Sequence, residues 1–484
     1  MIKPTLEEAR TLSLGSTLVP LAMEMFADLK TPVELFRTLA ASGREAYILE
    51  SAASGESWGR YSFLGSDPLM EISGGGGRVT IRRGGTAEIR EGNPHSILKE
   101  LVSSYKSPNM ENMPPFTGGF VGYFAYEYIR HIEPTLSLTE DDDIGFDDFR
   151  LMLFDRVIAF DHFRQRIFLI VNVSADDIER SYIAGVEALK DMERVVLSTP
   201  PGQPAADRAA APDFEPSFTR EAFCEAVKKA KHHILEGDIF QCVPSIRFRS
   251  AYRGSLLQPY RVLRTTNPSA YMFLIRFNDL EIAGASPETL VSLKDGVVST
   301  YPLAGTCRRT EDDAETNALI ENLLRDEKEL AEHDMLVDLG RNDLGRICRF
   351  GSVRVDEYRS IKKLSRVCHI ASRVTGELAL HFSALDVMAS VLPAGTLSGA
   401  PKKRACEIID DIEGSKRGVY GGAVGYVDFA GNMDLCIGIR MAVLKDNLVY
   451  VQAGAGIVAD SVPEREYEEC LRKADAMIDA IRAS

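Results

Sequence analysis

The chain has 484 residues, 45% hydrophobic and 26% charged, which is ample apolar material for a buried core. Its formal net charge of −15 argues against a general grip on nucleic acid or anionic membrane, since both depend on basic patches. An anionic substrate would have to be met by particular Arg, Lys or metal positions. The eight cysteines stand singly with no C-x-x-C pair, and a chain this long needs no disulfide staples. The opening residues carry Lys3, Glu7, Glu8 and Arg10 with no apolar stretch, and no run approaches the ~20 residues of a membrane span. A reduced, cytoplasmic protein is expected.

In chain order, the pattern predicts a helix over Pro32–Ser42, a strand over 46–51, and hairpins over 78–83 and 86–90 framed by the glycines at 74–77 and 84–85. Further strands are predicted over 151–160 and 165–173. The stretch 198–216, STPPGQPAADRAAAPDFEP, holds five prolines and little that could pack, so it reads as a linker between an N-terminal part, 1–197, and a C-terminal part, 217–484. Beyond it, strands are expected over 270–277, 281–284, 289–294, 422–428, 433–443 and 447–453. Helices are expected over 220–236, 314–339, 384–391, 402–412 and 464–483. Runs of hairpin strands with helices between them indicate an α+β protein built on antiparallel sheet.

Three kinds of feature carry chemistry. Glu329 and Glu332 share a helix face, as do Glu466, Glu469 and Lys473 near the C-terminus. Two such faces brought together would offer the hard oxygen ligands that Mg2+ prefers, although one such pair alone is more often a solvated surface. Glycine-dense strand ends occur at 303–306, 393–402 and 453–456, where backbone can approach an anion closely. Lys402 has no Ser or Thr after it, so 395–402 is not a phosphate loop and an Mg2+–nucleotide enzyme is disfavoured. Glu288, His369, Tyr420 and Arg440 are isolated polar residues in apolar context, Arg440 within the strand predicted over 433–443. A lone histidine in such a setting is more often structural than catalytic.

Taken in order, ILES (48–51), GGFVGYFAYE (118–127), GDIFQCVPS (237–245), NPSAYMFLI (267–275), ASPETL (285–290), PLAGTCRR (302–309), AEHDMLVDLGRND (331–343), PAGTLSGAPK (393–402), VYGGAVGY (419–426) and QAGAGIVADSVPEREYEE (452–469) resemble the chorismate-utilising enzymes, and among them the anthranilate synthase large subunits. The likeness spans about residues 30–480. It implies a large antiparallel β-sandwich core with helices packed outside. It also implies Mg2+-dependent amination of chorismate at C2, loss of the C4 hydroxyl, and elimination of pyruvate to give anthranilate, the first step of tryptophan biosynthesis.

By that resemblance Glu332 and Glu469 hold Mg2+ with Glu329 and Glu466 nearby, and Arg440 and Lys473 meet substrate carboxylates. Gly305, Thr306, Tyr420, Gly454, Ala455 and Gly456 line the substrate through side chains and backbone amides. Glu288 matches the general acid and His369 the base that removes the C2 proton, while Thr396 is expected to orient substrate or His369. Gln241 stands where water-adding relatives place a lysine base. Ala304 stands where the 4-amino-4-deoxychorismate synthases place a nucleophilic lysine. Both point to anthranilate, with a 4-amino-4-deoxychorismate synthase component I or a non-catalytic tryptophan sensor as alternatives. The N-terminal part is expected to sense tryptophan, with Ser51, Ala270, Tyr271 and Met272 at its site, Leu49 and Glu50 alongside, and Ala270 replacing a usual proline. No glutaminase-type nucleophile loop is evident, so ammonia is expected from a separate glutamine amidotransferase small subunit, in a heterotetramer of two large and two small subunits.

Overall fold

The computed structural model describes residues 2–42, 45–51, 59–198, 212–310, 312–363 and 367–484. Among these, two twelve-stranded antiparallel sheets dominate. The first runs from Ile2–Lys3 at one edge through Leu18–Phe26, Arg166–Ser174, Arg156–Asp161, Tyr61–Ser66, Ala46–Glu50, Tyr271–Arg276, Leu280–Ser286, Met441–Lys445, Leu448–Gly454 and Ser245–Ala251 to Glu215–Pro216. The second begins with Leu303–Arg308 and Val367–Glu377, on which Arg354–Lys363 also pairs. It continues through Val297–Thr300, Thr289–Lys294, Met433–Ile437, Ala423–Asp428, Gly119–Phe124, Phe149–Phe154 and Met70–Gly75 to Arg78–Arg83 and Thr86–Glu91. Both sheets draw strands from either side of the 198–216 stretch. Residues 199–211 lie outside the described set, and Glu215–Pro216, expected to be linker, pairs with Phe248 and Arg249 as an edge strand. Proline is tolerated there because an edge strand leaves one side of the ladder unpaired.

The sheets face each other across an aromatic-rich core. Tyr47, Phe63, Phe168 and Phe273 enter it from the first sheet, and Val121, Tyr123, Met152 and Phe154 from the second. Alternation along each strand sends the intervening side chains outward, where helices cover them. Ile178–Leu197, Arg220–Leu235, Leu257–Thr266 and Pro463–Arg482 bury apolar stripes on the first sheet. Pro94–Ser103, Glu327–Gly345 and Ala384–Val391 do the same on the second. Each large side chain fully buried in these layers contributes about 1.5–3 kcal/mol. The result is the expected α+β sandwich with helices outside. No helix among the described residues is long and apolar enough to cross a membrane.

Three predicted elements are divided in the structure. The strand expected over 151–160 is two, Phe149–Phe154 in the second sheet and Arg156–Asp161 in the first. The one expected over 433–443 is likewise Met433–Ile437 and Met441–Lys445, on different sheets. Arg440 therefore lies in a crossing, not a strand, with a left-handed φ of 52°. Each run is largely apolar on both sides of its crossing because both sheets are buried, and the short breaks at Asp155–Arg156 and Gly438–Arg440 are the only local marks of it. The helix expected over 314–339 breaks into Asp313–Leu323 and Glu327–Gly345. Asp326 forces the break by capping the second helix, its side chain accepting the N–H groups of Lys328 and Glu329.

Candidate active site

Two neighbouring crossings between the sheets build the centre of the site. Leu280–Ser286 in the first sheet continues through Pro287 and Glu288 into Thr289–Lys294 in the second. Beside it, Met433–Ile437 in the second returns through Gly438–Arg440 to Met441–Lys445 in the first. Because these strands pair with each other in both sheets, the two crossings lie side by side. They are stitched by backbone bonds from Ile437 N–H to the Glu288 carbonyl (3.0 Å) and from Ala285 N–H to the Arg440 carbonyl (3.0 Å). Topology alone thus places Glu288 against Arg440.

The Glu288 carboxyl is pushed up to about 7 by burial, against the Thr396 hydrogen bond and the charges of Lys473 and Arg440. Thr396 Oγ1 donates to Glu288 Oε1 at 3.0 Å. Thr396 was expected to orient substrate or His369; the structure gives it to Glu288. The residue that meets His369 is Thr306, directly opposite it in the ladder, with Oγ1 2.9 Å from Nδ1. Burial lowers the pKa of His369, against a hydrogen bond with the Gly305 backbone and helped by the charges of Arg440 and Lys362. The ring is therefore held neutral near neutral pH.

Gly305 sits at a register shift with φ 73°, and a Cβ there would lie 3.3 Å from Glu329 Oε2. This close approach brings the helix carrying Glu329 and Glu332 against the strand that holds His369. On the opposite side, Lys473 Nζ pairs with Glu469 at 2.7 Å and donates to the Gly454 carbonyl at 3.0 Å. Gly454 is crowded too: a Cβ would meet the Pro244 carbonyl at 2.7 Å and the Tyr420 hydroxyl at 2.9 Å. The Ala455 N–H is engaged by the Pro244 carbonyl at 3.2 Å, so this amide faces protein where substrate contact was expected. Tyr420 is buried, which raises its phenol, and Arg440 is close enough to act on it electrostatically.

The four glutamates share one electrostatic neighbourhood. The carboxyls of Glu329, Glu332 and Glu466 are each raised by burial first and further by the nearby charge of Glu469. Among the described residues no three His, Cys, Asp or Glu side chains converge as a ready cage for an ion. A set of four neighbouring carboxylates, with Lys328 and Lys473 as the cations set against them, nevertheless fits Mg2+, which commonly takes one or two carboxylates and fills its octahedron with water and substrate.

The expected sensor residues lie one strand over from the Glu288 crossing, Tyr271 being opposite Ser286 in the ladder. Tyr271–Arg276 pairs with Ala46–Glu50, so Met272 faces Glu50, with Ser51 next in the chain and Ala270 preceding the strand. Glu50 is buried and accepts from the Tyr260 hydroxyl (2.5 Å), Arg264 (3.0 Å) and Ser62 (3.1 Å). Ser51 Oγ is buried and has no hydrogen-bond partner among the described residues. The Tyr271 hydroxyl reaches the other sheet, donating to Asp434 at 2.8 Å and meeting Thr289 at 2.9 Å. Tyr260, Arg264, Thr289 and Asp434 were not singled out from sequence. Tyr260 and Arg264 reach Glu50 from the helix Leu257–Thr266, and Thr289 and Asp434 meet Tyr271 from the second sheet, so only the tertiary packing reveals them.

A family model described as chorismate binding enzyme matches residues 45–479. Anthranilate synthase component 1 of Acetivibrio thermocellus is 45% identical, with 99% of each chain covered. The crystal structure of anthranilate synthase component I from Streptococcus pneumoniae superimposes with TM-score 0.77 at 36% identity, covering 94% of this chain and 99% of that one. The menaquinone-specific isochorismate synthase of Escherichia coli superimposes with TM-score 0.70 at 16% identity, covering 99% of each, a likeness of fold alone.

Proposed function

The chain belongs to the chorismate binding enzymes, and among them to the anthranilate synthase component 1 proteins, and on that premise we propose that the site just described aminates chorismate at C2 with ammonia, in an Mg2+-dependent reaction. The observation that carries this reading is Glu288, a half-buried carboxyl bonded by Thr396, set beside Arg440 and Lys473 and brought to about 7.

Arg440 and Lys473 receive the carboxylates of the dianionic substrate, Arg440 as a two-pronged donor and Lys473 as a point charge. When Lys473 engages substrate it must loosen its pairing with Glu469. Mg2+ would be held by Glu332 and Glu469, with Glu329 and Glu466 close by, and supplies positive charge for a substrate carboxylate in an acidic chain. Ammonia adds at C2, the ring double bonds shift, and the C4–oxygen bond breaks as protonated Glu288 gives its proton to the departing hydroxyl, releasing water. Neutral His369 then takes the C2 proton. The freed electron pair completes the aromatic ring as the enolpyruvyl carbon–oxygen bond breaks, and pyruvate leaves. Chorismate and ammonia are thereby balanced against anthranilate, pyruvate and water. Thr306 holds His369 in position for this step.

Component 1 implies a partner component. In our reading the partner is a glutamine amidotransferase small subunit that delivers ammonia, in a cytoplasmic assembly of two large and two small subunits. Tryptophan acts as feedback inhibitor at Ser51, Ala270, Tyr271 and Met272. The test is a product assay with chorismate, Mg2+ and ammonium at mildly alkaline pH, with and without tryptophan. Anthranilate that disappears on chelation and falls with tryptophan is expected; amination at C4, or turnover indifferent to chelation, would overturn the reading.

A further inference from the structure

Arg417 belongs to none of the roles above, yet it is among the most completely buried charges in the protein, only 2% exposed. It follows the helix Lys402–Glu413 and precedes the turn that carries Tyr420. Its guanidinium donates to Glu413 through Nε (2.8 Å, to Oε2) and Nη2 (2.5 Å, to Oε1). It also donates through Nη1 to the Leu397 carbonyl (2.8 Å) and through Nη2 to the Val243 carbonyl (2.6 Å). The flat cation lies 4.5 Å from the ring centre of Tyr126 and 5.6 Å from that of Tyr420. Its own backbone is clamped as well, since Glu127 accepts the N–H groups of Arg417 (2.6 Å) and Gly418 (3.0 Å). Glu413 extends the reach, because Oε1 also accepts from Ser245 N–H (2.7 Å) and Ser245 Oγ (2.8 Å).

Leu397, Val243, Ser245 and Tyr420 each adjoin or belong to the site. Leu397 follows Thr396, which bonds Glu288. Val243 precedes Pro244, whose carbonyl crowds Gly454 and receives the Ala455 N–H. Ser245 is opposite Gly454 in the ladder. Tyr420 lies beneath the guanidinium itself. Burying an ion pair gives little net stability against apolar packing, because desolvation consumes most of the attraction. What a guanidinium does better than a hydrophobe is direct several rigid donors at separate backbones at once.

We propose that Arg417, paired with Glu413, is a positioning residue for the amination reaction: by holding the Leu397 and Val243 carbonyls and the Tyr420 ring in one fixed frame, it sets Thr396 against Glu288 and the Pro244–Gly454 contact beside Lys473. This inference rests on the assignment of Glu288 and Thr396 given above.

The experiment measures anthranilate formation by the full chain with chorismate, Mg2+ and ammonium, for Arg417→Lys, Thr396→Val and the double variant, with Glu288→Gln as reference. Arg417→Lys keeps the charge but loses the fork. It is expected to lower kcat by about 10- to 100-fold, the scale of a roughly 1 Å misplacement, with a much smaller change in KM for chorismate. Thr396→Val should lower kcat alone, yet add almost nothing on top of Arg417→Lys, because the hydroxyl it removes is already displaced. Both single variants should also move the alkaline limb of the pH–rate profile upward, as Glu288 between Arg440 and Lys473 loses a hydrogen bond to its charged form. A merely structural arginine would give additive losses and an unmoved limb, and that result would overturn the proposal. If Arg417→Lys does not accumulate folded, Glu413→Gln takes its place in the same cycle, since it keeps acceptors but weakens the grip on Arg417; additivity there overturns the proposal equally. Full activity of Glu288→Gln would instead remove the underlying site assignment, whereas an inactive Glu288→Gln beside an unimpaired Arg417→Lys would sink this inference alone.

Discussion

A carboxyl that titrates near 7 serves a reaction only in the form the reaction consumes. In the proposed mechanism Glu288 acts protonated, and burial holds its pKa at about 7 where an ordinary glutamate has lost its proton. Its active form is therefore full below 7 and lost as pH rises through it, so turnover should decline on the alkaline side with an apparent pKa near 7. Glu288→Gln, which cannot donate an acidic proton, should lose about 10²- to 10⁴-fold in kcat with chorismate binding retained, and flatten that limb. His369 has the opposite requirement, and its lowered pKa keeps the neutral base available below the ordinary histidine value. His369→Ala should let an aminated, pyruvate-bearing intermediate accumulate, identifiable by mass; anthranilate released at the normal rate would take His369 out of the mechanism. These two residues were picked out in sequence by the motifs around them. The hydrogen bonds that Thr396 makes to Glu288 and Thr306 to His369 were not legible, because a hydroxyl's hydrogen bond depends on ladder register and chain crossings.

Paired crossings between the sheets are the elements that make the site, and they are also where the pattern reading failed. The strands expected over 151–160 and 433–443 each run through a crossing that only a short break marks, Asp155–Arg156 in one and Gly438–Arg440 in the other, between apolar segments on either side. Helix ends fared better, since 384–391 and 402–412 are bounded by Ser383 and by Gly414 at φ 65°, caps that a sequence can announce. Tyr271 ties a first-sheet strand to Asp434 and Thr289 of the second, one strand end away from Glu288. Tyr271→Phe should weaken tryptophan inhibition while uninhibited turnover stays within about 2-fold, and should cost about 1–3 kcal/mol in denaturant unfolding, because buried Asp434 loses its donor. Inhibition that survives unchanged would separate this link from the sensor. Gly454→Ala places a methyl against the Pro244 carbonyl and the Tyr420 hydroxyl. It should raise KM for chorismate by roughly tenfold or more, since backbone on one side cannot yield as a flexible side chain would.

For the whole molecule, the surplus of negative charge turns out to be no obstacle, because Arg440 and Lys473 concentrate positive charge in the one place where an anion is proposed to bind. The α+β class was readable from hairpin signals and interspersed helices. The joining of both sheets across the 198–216 stretch was not, since strand order in a sheet leaves no local trace. Ala46–Glu50 finds its neighbour in Tyr271–Arg276, and Gly119–Phe124 finds one in Ala423–Asp428. Residues 1–197 and 212–484 expressed as separate chains should each be poorly folded alone and recover activity when produced together; a cooperative melt for either piece by itself would contradict this interdependence.

The same interleaving bears on how the protein is made. As the chain leaves the ribosome, Ala46–Glu50 emerges with one edge satisfied by Tyr61–Ser66 and the other left open until Tyr271–Arg276 has been synthesised. An open edge flanked by apolar faces invites pairing with another nascent chain. Protein yield should therefore respond to translation speed and chaperone supply more sharply than native stability would suggest, because the centre of the first sheet stays open until the chain well beyond the 198–216 stretch has been made.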